Sequence, residues 1–168
     1  MKINIILGNI VDFKGDCIVN SAHRSLLGGG GVDGAIHRAA GPELLVECKT
    51  LGGCKTGQSK ITKGYNLPAK YVIHTVGPIY NHHNALENEA LLGRCYWTAL
   101  NLAKEYNLHS IAFPAISTGR YDYPIIDATL VATSAVTGWL IQNDYDIDIT
   151  FVCYSEEDYN CYVLCMAS

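Results

Sequence analysis

Ile18-Val19-Asn20-Ser21-Ala22-His23-Arg24-Ser25-Leu26-Leu27-Gly28-Gly29-Gly30-Gly31-Val32-Asp33-Gly34 runs from an apolar strand through a polar loop and four successive glycines to an aspartate that opens a helix. Strand, loop and helix in that order form one α/β unit. Glycines let the backbone take angles that side chains resist, and they let a ligand come close to the main chain. The helix start adds unpaired N–H groups and the positive end of a dipole, which favour a phosphate. Asp33 then sets a carboxylate beside that cradle. It would repel a phosphate unless it held a hydroxyl or activated a water, so the stretch points to a sugar phosphate and to hydrolysis.

Outward from this unit, strand and helix patterns alternate. Ile3–Leu7 and Cys17–Val19 read as strands, followed by a helix from Val32 to about Leu51 that breaks or restarts at Gly41-Pro42. Ser59–Thr62 and Tyr71–Val76 are rich in β-branched residues and read as strands. Asn84–Tyr106 reads as a long helix, with Asn84 and Glu87 spaced as a capping box. Ser110–Pro114, a helix over Ile125–Gln142, a strand over Ile147–Cys153 and a short helix opened by Ser155-Glu156-Glu157-Asp158 complete the chain. The alternation predicts an α/β class three-layer α/β/α sandwich with buried, mostly parallel central strands. No repeat or linker divides it, so residues 1–168 are expected to form one domain.

A second loop matches the first in position. Ser117-Thr118-Gly119-Arg120-Tyr121 follows the apolar Ile111-Ala112-Phe113-Pro114 and precedes Pro124 and a helix. Ligands of open α/β sheets lie outside the carboxyl ends of the strands. Two small-residue loops converging there would grip two phosphates, which makes a diphosphate a natural ligand.

Composition narrows the class. With 12 Lys and Arg against 16 Asp and Glu, the net charge is −4, which argues against a general nucleic-acid-binding surface. The apolar run after Met1 is too short for a signal peptide, and the absence of an uninterrupted apolar stretch of roughly 18 residues predicts no membrane span. The seven cysteines contain no C-x-x-C pair, so a reducing, cytoplasmic setting is expected and no metal site. Cys161 and Cys165 fit a buried helical stripe better than a ligand pair.

Other motifs fail on context. Gly29-x-Gly31-x-x-Gly34 has the dinucleotide spacing, but a loop separates it from the strand, and Glu47 falls in a helix rather than at the next strand's end. Gly52–Ser59 resembles a P-loop with Gln58 in place of the phosphate-binding lysine. His23, His37 and His74 have no metal-ligand spacing; His74 lies in a strand, where a buried, hydrogen-bonded ring is expected, and His82-His83 falls in a surface loop. No nucleophile elbow is present, so Ser117 reads as a phosphate-loop hydroxyl. Tyr121 and Tyr123 fit either packing or a lid on a ribose.

Taken together, Gly8-Asn9-Ile10, Ile18 through His23, Leu27 through His37, Leu67 through Pro78 and Phe113 through Pro124 resemble a macrodomain of the MacroD type, in the family's order and spacing. The resemblance implies a mixed central sheet flanked by helices and ADP-ribose in the crevice between the two loops. It places Asn9 and Ile10 at the adenine end, where the family carries an aspartate before the isoleucine. Asn20, the first residue of the family's N-A-A-N pattern, counts among the binding residues. Gly30, Gly31 and Val32 fall on the first diphosphate loop, and Ser117, Thr118, Gly119, Arg120 and Tyr121 on the second, with Tyr121 near the distal ribose.

The implied activity is removal of mono-ADP-ribose from acidic protein side chains, deacetylation of O-acetyl-ADP-ribose, or both, without metal or other cofactor. Asp33 would position the water, and His23, where the family has asparagine, would hold a ribose hydroxyl. The implied partners are ADP-ribose, its derivatives and mono-ADP-ribosylated proteins, with nucleic acid only as an ADP-ribosylated end and no membrane. Arg120 and Asp122 also depart from the family's usual aliphatic residue and glycine. The His23 and Asn9 changes leave a second expectation, a module that binds ADP-ribose without hydrolysing it.

Overall fold

A computed structural model describes Lys2 to Ala167. Its strands are β1 (Lys2–Leu7), β2 (Cys17–Ser21), β3 (Ser59–Lys63), β4 (Tyr71–Thr75), β5 (Ser110–Phe113) and β6 (Asp148–Cys153). The helices are α1 (Gly31–Ala40), α2 (Pro42–Lys49), α3 (Ala85–Glu105), α4 (Ile125–Gln142) and α5 (Glu156–Ala167). The six strands form one sheet in the order β1-β6-β5-β2-β4-β3. Every neighbouring pair is parallel except β3 with β4, so five carboxyl ends share one edge and β3 begins there. The sheet is mixed, as the family resemblance implies.

Alternation along the central strands produces the three layers. Successive side chains point to opposite faces. Cys17 and Val19 of β2 enter one core with Leu92, Tyr96, Leu100, Val136 and Trp139 from α3 and α4. Ile18 enters the other, with Ile36 and Leu44 from α1 and α2. All of these are almost fully buried. Truncating one of the large aliphatic side chains to alanine costs about 2–5 kcal/mol, so each layer is held from both sides.

The expected break between α1 and α2 falls at Gly41, whose φ of 89° lies in the region that favours glycine. Pro42 then takes the first position of α2, where a missing N–H costs nothing. The capping box at Asn84 does not form: its side chain makes no cap hydrogen bond. A 3-10 turn over His82–Asn84 precedes α3, and its cap is Asn81, whose Oδ1 accepts from the His83 N–H at 3.0 Å. Cys161 and Cys165 are only half-buried, and the buried anchor of α5 is Tyr162.

By length and composition α4 is apolar enough to cross a membrane, with mean hydropathy 1.3, although Asp127 interrupts its apolar sequence. Here Ala128, Ala132, Val136 and Trp139 bury one of its faces in the core shared with α3.

Candidate functional site

The strand edge that gathers the carboxyl ends carries both predicted loops. β2 runs two residues farther than its apolar pattern suggests: Asn20 pairs with His74 and Ser21 with Thr75 of β4. Polarity hides these positions in the sequence, but a buried polar group is tolerated when it is hydrogen-bonded. Asn20 is fully buried; its Nδ2 donates to Asp33 Oδ1 at 2.9 Å and lies 3.2 Å from His74 Nδ1. An amide nitrogen only donates, so His74 Nδ1 accepts, and its Nε2–H faces Thr62 Oγ1 at 2.9 Å. Burial first, and the neighbouring His37 second, push the His74 pKa down to about 3. The expected buried, hydrogen-bonded histidine is therefore neutral, and Thr62, His74, Asn20 and Asp33 form one chain.

Asp33 stands in the first turn of α1 and is 4% exposed. Its Oδ2 accepts from the His23 backbone N–H at 3.3 Å, and its Oδ1 lies 3.4 Å from His37 Nε2. An ionised carboxylate has about four acceptor positions, so capacity remains for a water or a hydroxyl. The α1 cap, Gly30, has no side chain to occupy the helix's free N–H groups, leaving them to an anion.

His23 is exposed, and its ring is fixed by its own loop. Its Nδ1 accepts from the Ser25 N–H at 3.1 Å and lies 2.9 Å from Ser25 Oγ. In the neutral ring the proton is then on Nε2, which leaves His23 a hydrogen-bond donor. The choice between donating and accepting that an imidazole offers in principle is settled by the backbone of Ser25.

The second loop closes over the first. Ser117 is buried at φ 66°, and its Oγ has no hydrogen-bond partner. A non-glycine residue held in that region costs on the order of 1 kcal/mol and is found where the surroundings enforce it, often at ligand clamps. Arg120 reaches across to Gly30, where an added Cβ would lie 2.6 Å from a guanidinium nitrogen. The close neighbour is the far end of a flexible, exposed side chain, so the contact records how near Arg120 lies to the α1 N-terminus. Tyr121 borders the cavity and its carbonyl accepts from the Tyr80 N–H, whereas Tyr123 is buried against the Tyr80 ring.

Between the loops lies a cavity of about 170 Å³ bordered by His23, Gly29 to Asp33, Ser117, Gly119, Arg120 and Tyr121. Asn20 supports it from behind, and Thr118 does not border it. Asn9 and Ile10 stand apart, after β1: Ile10 is buried under α1, and Asn9 Oδ1 caps a 3-10 turn by accepting from the Val11 N–H at 3.2 Å. Tyr154, which the sequence motifs do not single out, directly follows β6 and is 80% exposed. The Gly8 N–H donates to Cys153 O, so Tyr154 and Asn9 leave adjoining strand ends. An aromatic residue immediately after an apolar strand was the available signal.

Fold and site define an α/β/α protein with a crevice between two loops and a buried carboxylate on its wall. The chain belongs to the macrodomain family, whose Macro domain pattern matches residues 19–132. It is 51% identical over 162 residues to human "ADP-ribose glycohydrolase MACROD2", covering 96% of this chain but 38% of that protein. The Oceanobacillus iheyensis macrodomain with ADP superposes with TM-score 0.92 at 45% identity, over 97% of this chain and 88% of that one. The Trypanosoma brucei macrodomain in complex with ADP-ribose gives TM-score 0.91 at 44% identity, over 98% and 68%.

Proposed function

We propose that this chain binds ADP-ribose along its strand edge and hydrolyses mono-ADP-ribose esters of acidic side chains, O-acetyl-ADP-ribose, or both. The carrying observation is Asp33, nearly buried, fixed by Asn20 and the His23 N–H, on the wall of the crevice between the α1 N-terminus and the Ser117–Tyr121 loop. The base lies at the β1–β6 end between Asn9 and Tyr154. The diphosphate lies between the α1 N-terminus and the Ser117–Tyr121 loop, where Arg120 offsets its charge. The distal ribose then falls beside Asp33 and His23.

In this reading Asp33 accepts the proton of a water whose oxygen attacks the ester. The water oxygen adds to the acyl carbon, and the bond between that carbon and the ribose oxygen breaks. The ribose oxygen keeps the electron pair and takes a proton back from Asp33, leaving free ADP-ribose and the carboxylic acid. His23 Nε2–H donates to a ribose hydroxyl. The seven cysteines, five buried and all free, fit a reducing cytoplasmic setting.

O-Acetyl-ADP-ribose and a mono-ADP-ribosylated protein, each incubated with wild type and Asp33→Ala, test the assignment. Loss of turnover with retained ADP-ribose affinity supports it; equal rates overturn it. The locked His23 ring favours a second reading, a binding module without turnover. Tight ADP-ribose binding with no hydrolysis over hours, and hydrolysis restored in His23→Asn, would select that reading.

A further inference from the structure

The Gly52–Ser59 segment, which fails as a phosphate loop, forms part of another feature. It borders a cleft of about 1050 Å³ that shares His23 with the ADP-ribose crevice. Four cations border this cleft, Arg24, Lys49, Lys55 and Lys60, with no aspartate or glutamate among the bordering residues. That is a third of the chain's 12 lysines and arginines in a protein of net charge −4. None of the four makes an ion pair among the described residues. Lys60 Nζ is fixed by donating to Leu51 O at 2.7 Å, while Arg24, Lys49 and Lys55 are exposed.

Sheet order gives the cleft its direction. Along β1-β6-β5-β2-β4-β3 the proposed base, diphosphate and distal ribose occupy β1 through β2. The next edge positions belong to β4 and to the start of β3, where Gln58, Ser59 and Lys60 border the cleft. It therefore lies beyond the distal ribose, two strand spacings or about 10 Å from β2, on the side where the group attached to that ribose must extend.

We propose that this cleft receives the polypeptide around the modified residue and selects targets whose flanking positions are acidic. The proposal rests on the placement of ADP-ribose above. Carboxylates complement the four cations. A nucleic-acid strand fits less well: no Phe, Tyr or Trp borders the cleft to stack a base, and the net negative charge opposes a longer polyanion.

The test compares two peptides carrying mono-ADP-ribose on one glutamate, with acidic or with serine and glutamine flanks, by affinity and by kcat/KM. Wild type is expected to favour the acidic peptide by about tenfold, the sum of several exposed ion pairs. Raising ionic strength from about 0.01 M to about 0.1 M, which shortens the screening length from about 30 Å to about 10 Å, should shrink that preference. Lys49→Glu/Lys55→Glu should abolish it while leaving affinity for free ADP-ribose unchanged, which also verifies the fold.

Equal behaviour of the two peptides on wild type, or a preference that survives the double variant, overturns the proposal. So does an oligonucleotide ADP-ribosylated on its terminal phosphate that binds more tightly than the acidic peptide and loses more to the variant. If neither peptide is hydrolysed, the hydrolase reading fails, and the affinities alone still decide the cleft.

Discussion

Acid should weaken this protein through His74 before its carboxylates titrate. The ring is buried and neutral, with its pKa pushed from 6.5 down to about 3 by burial and the nearby His37. The unfolded chain binds this proton first as pH falls. The stabilisation is therefore complete above about pH 6.5 and is lost progressively down to about pH 3. The slope starts at half of about 1.4 kcal/mol per pH unit at pH 6.5 and reaches the full value below it, so the two units from 6.5 to 4.5 remove ~2 kcal/mol from this one side chain. For a domain whose stability is about 5–15 kcal/mol, that is a substantial fraction.

Urea unfolding at both pH values, on wild type and His74→Gln, measures it. Glutamine can accept from Asn20 and donate toward Thr62 without titrating. The variant should start less stable and show a flatter pH response, by roughly the calculated difference. Parallel losses in the two proteins would refute the assignment of a neutral buried ring. A wild-type protein equally stable at both pH values would refute it as well.

Asp33→Asn should keep ADP-ribose affinity within several-fold by calorimetry while lowering O-acetyl-ADP-ribose turnover by two orders of magnitude or more, in line with loss of a positioned base, worth about 10²–10⁴. Arg120→Ala should weaken ADP-ribose binding by about tenfold, the worth of one charge-assisted hydrogen bond, and bind AMP as before. Tyr154→Ala should cost about 1–3 kcal/mol of ADP-ribose affinity if the base stacks there, with kcat little changed; unchanged affinity would remove Tyr154 from the base site. Ile36→Ala should cost about 2–5 kcal/mol of stability, read from the urea midpoint, because Ile36 is fully buried between α1 and the sheet.

What could be read from the sequence was local. The glycine run, Asp33 in the first turn of α1 and the Gly41-Pro42 break follow from chain chemistry within a few residues. Groups distant in sequence escaped such reading. Asn20 looks like loop because it is polar; its amide nitrogen finds partners only in Asp33 and in His74, 54 positions away, while its buried Oδ1 has none. Arg120 meets Gly30 across 90 positions, and nothing local to either predicts the contact. Asn84 was given the cap because asparagine with a glutamate three residues on is a valid local pattern. Asn81 competes with the same chemistry, and the 3-10 turn decides between them. Tyr154 acquires its position only when β1 and β6, the two ends of the chain, pair side by side.

The carboxylate beside an anion cradle, awkward in the sequence, makes sense once donors and acceptors are assigned. Asn20 and the His23 N–H supply hydrogen bonds to Asp33 and take none back. With His74 Nδ1 accepting from Asn20, whose same nitrogen donates to Asp33 Oδ1, the Thr62–His74–Asn20 chain ends on the Asp33 carboxylate. His23 adds a further donor, since its Nδ1 is committed to the Ser25 N–H. An asparagine side chain at that position would offer a donor and an acceptor; the histidine offers only a donor. In the proposed complex the ribose hydroxyl that accepts from His23 Nε2–H must therefore direct its own proton elsewhere, and Asp33 is the carboxylate on the cavity wall able to take it. On the proposed placement the histidine ties ribose orientation to Asp33, and turnover should depend on that carboxylate more strongly than binding does.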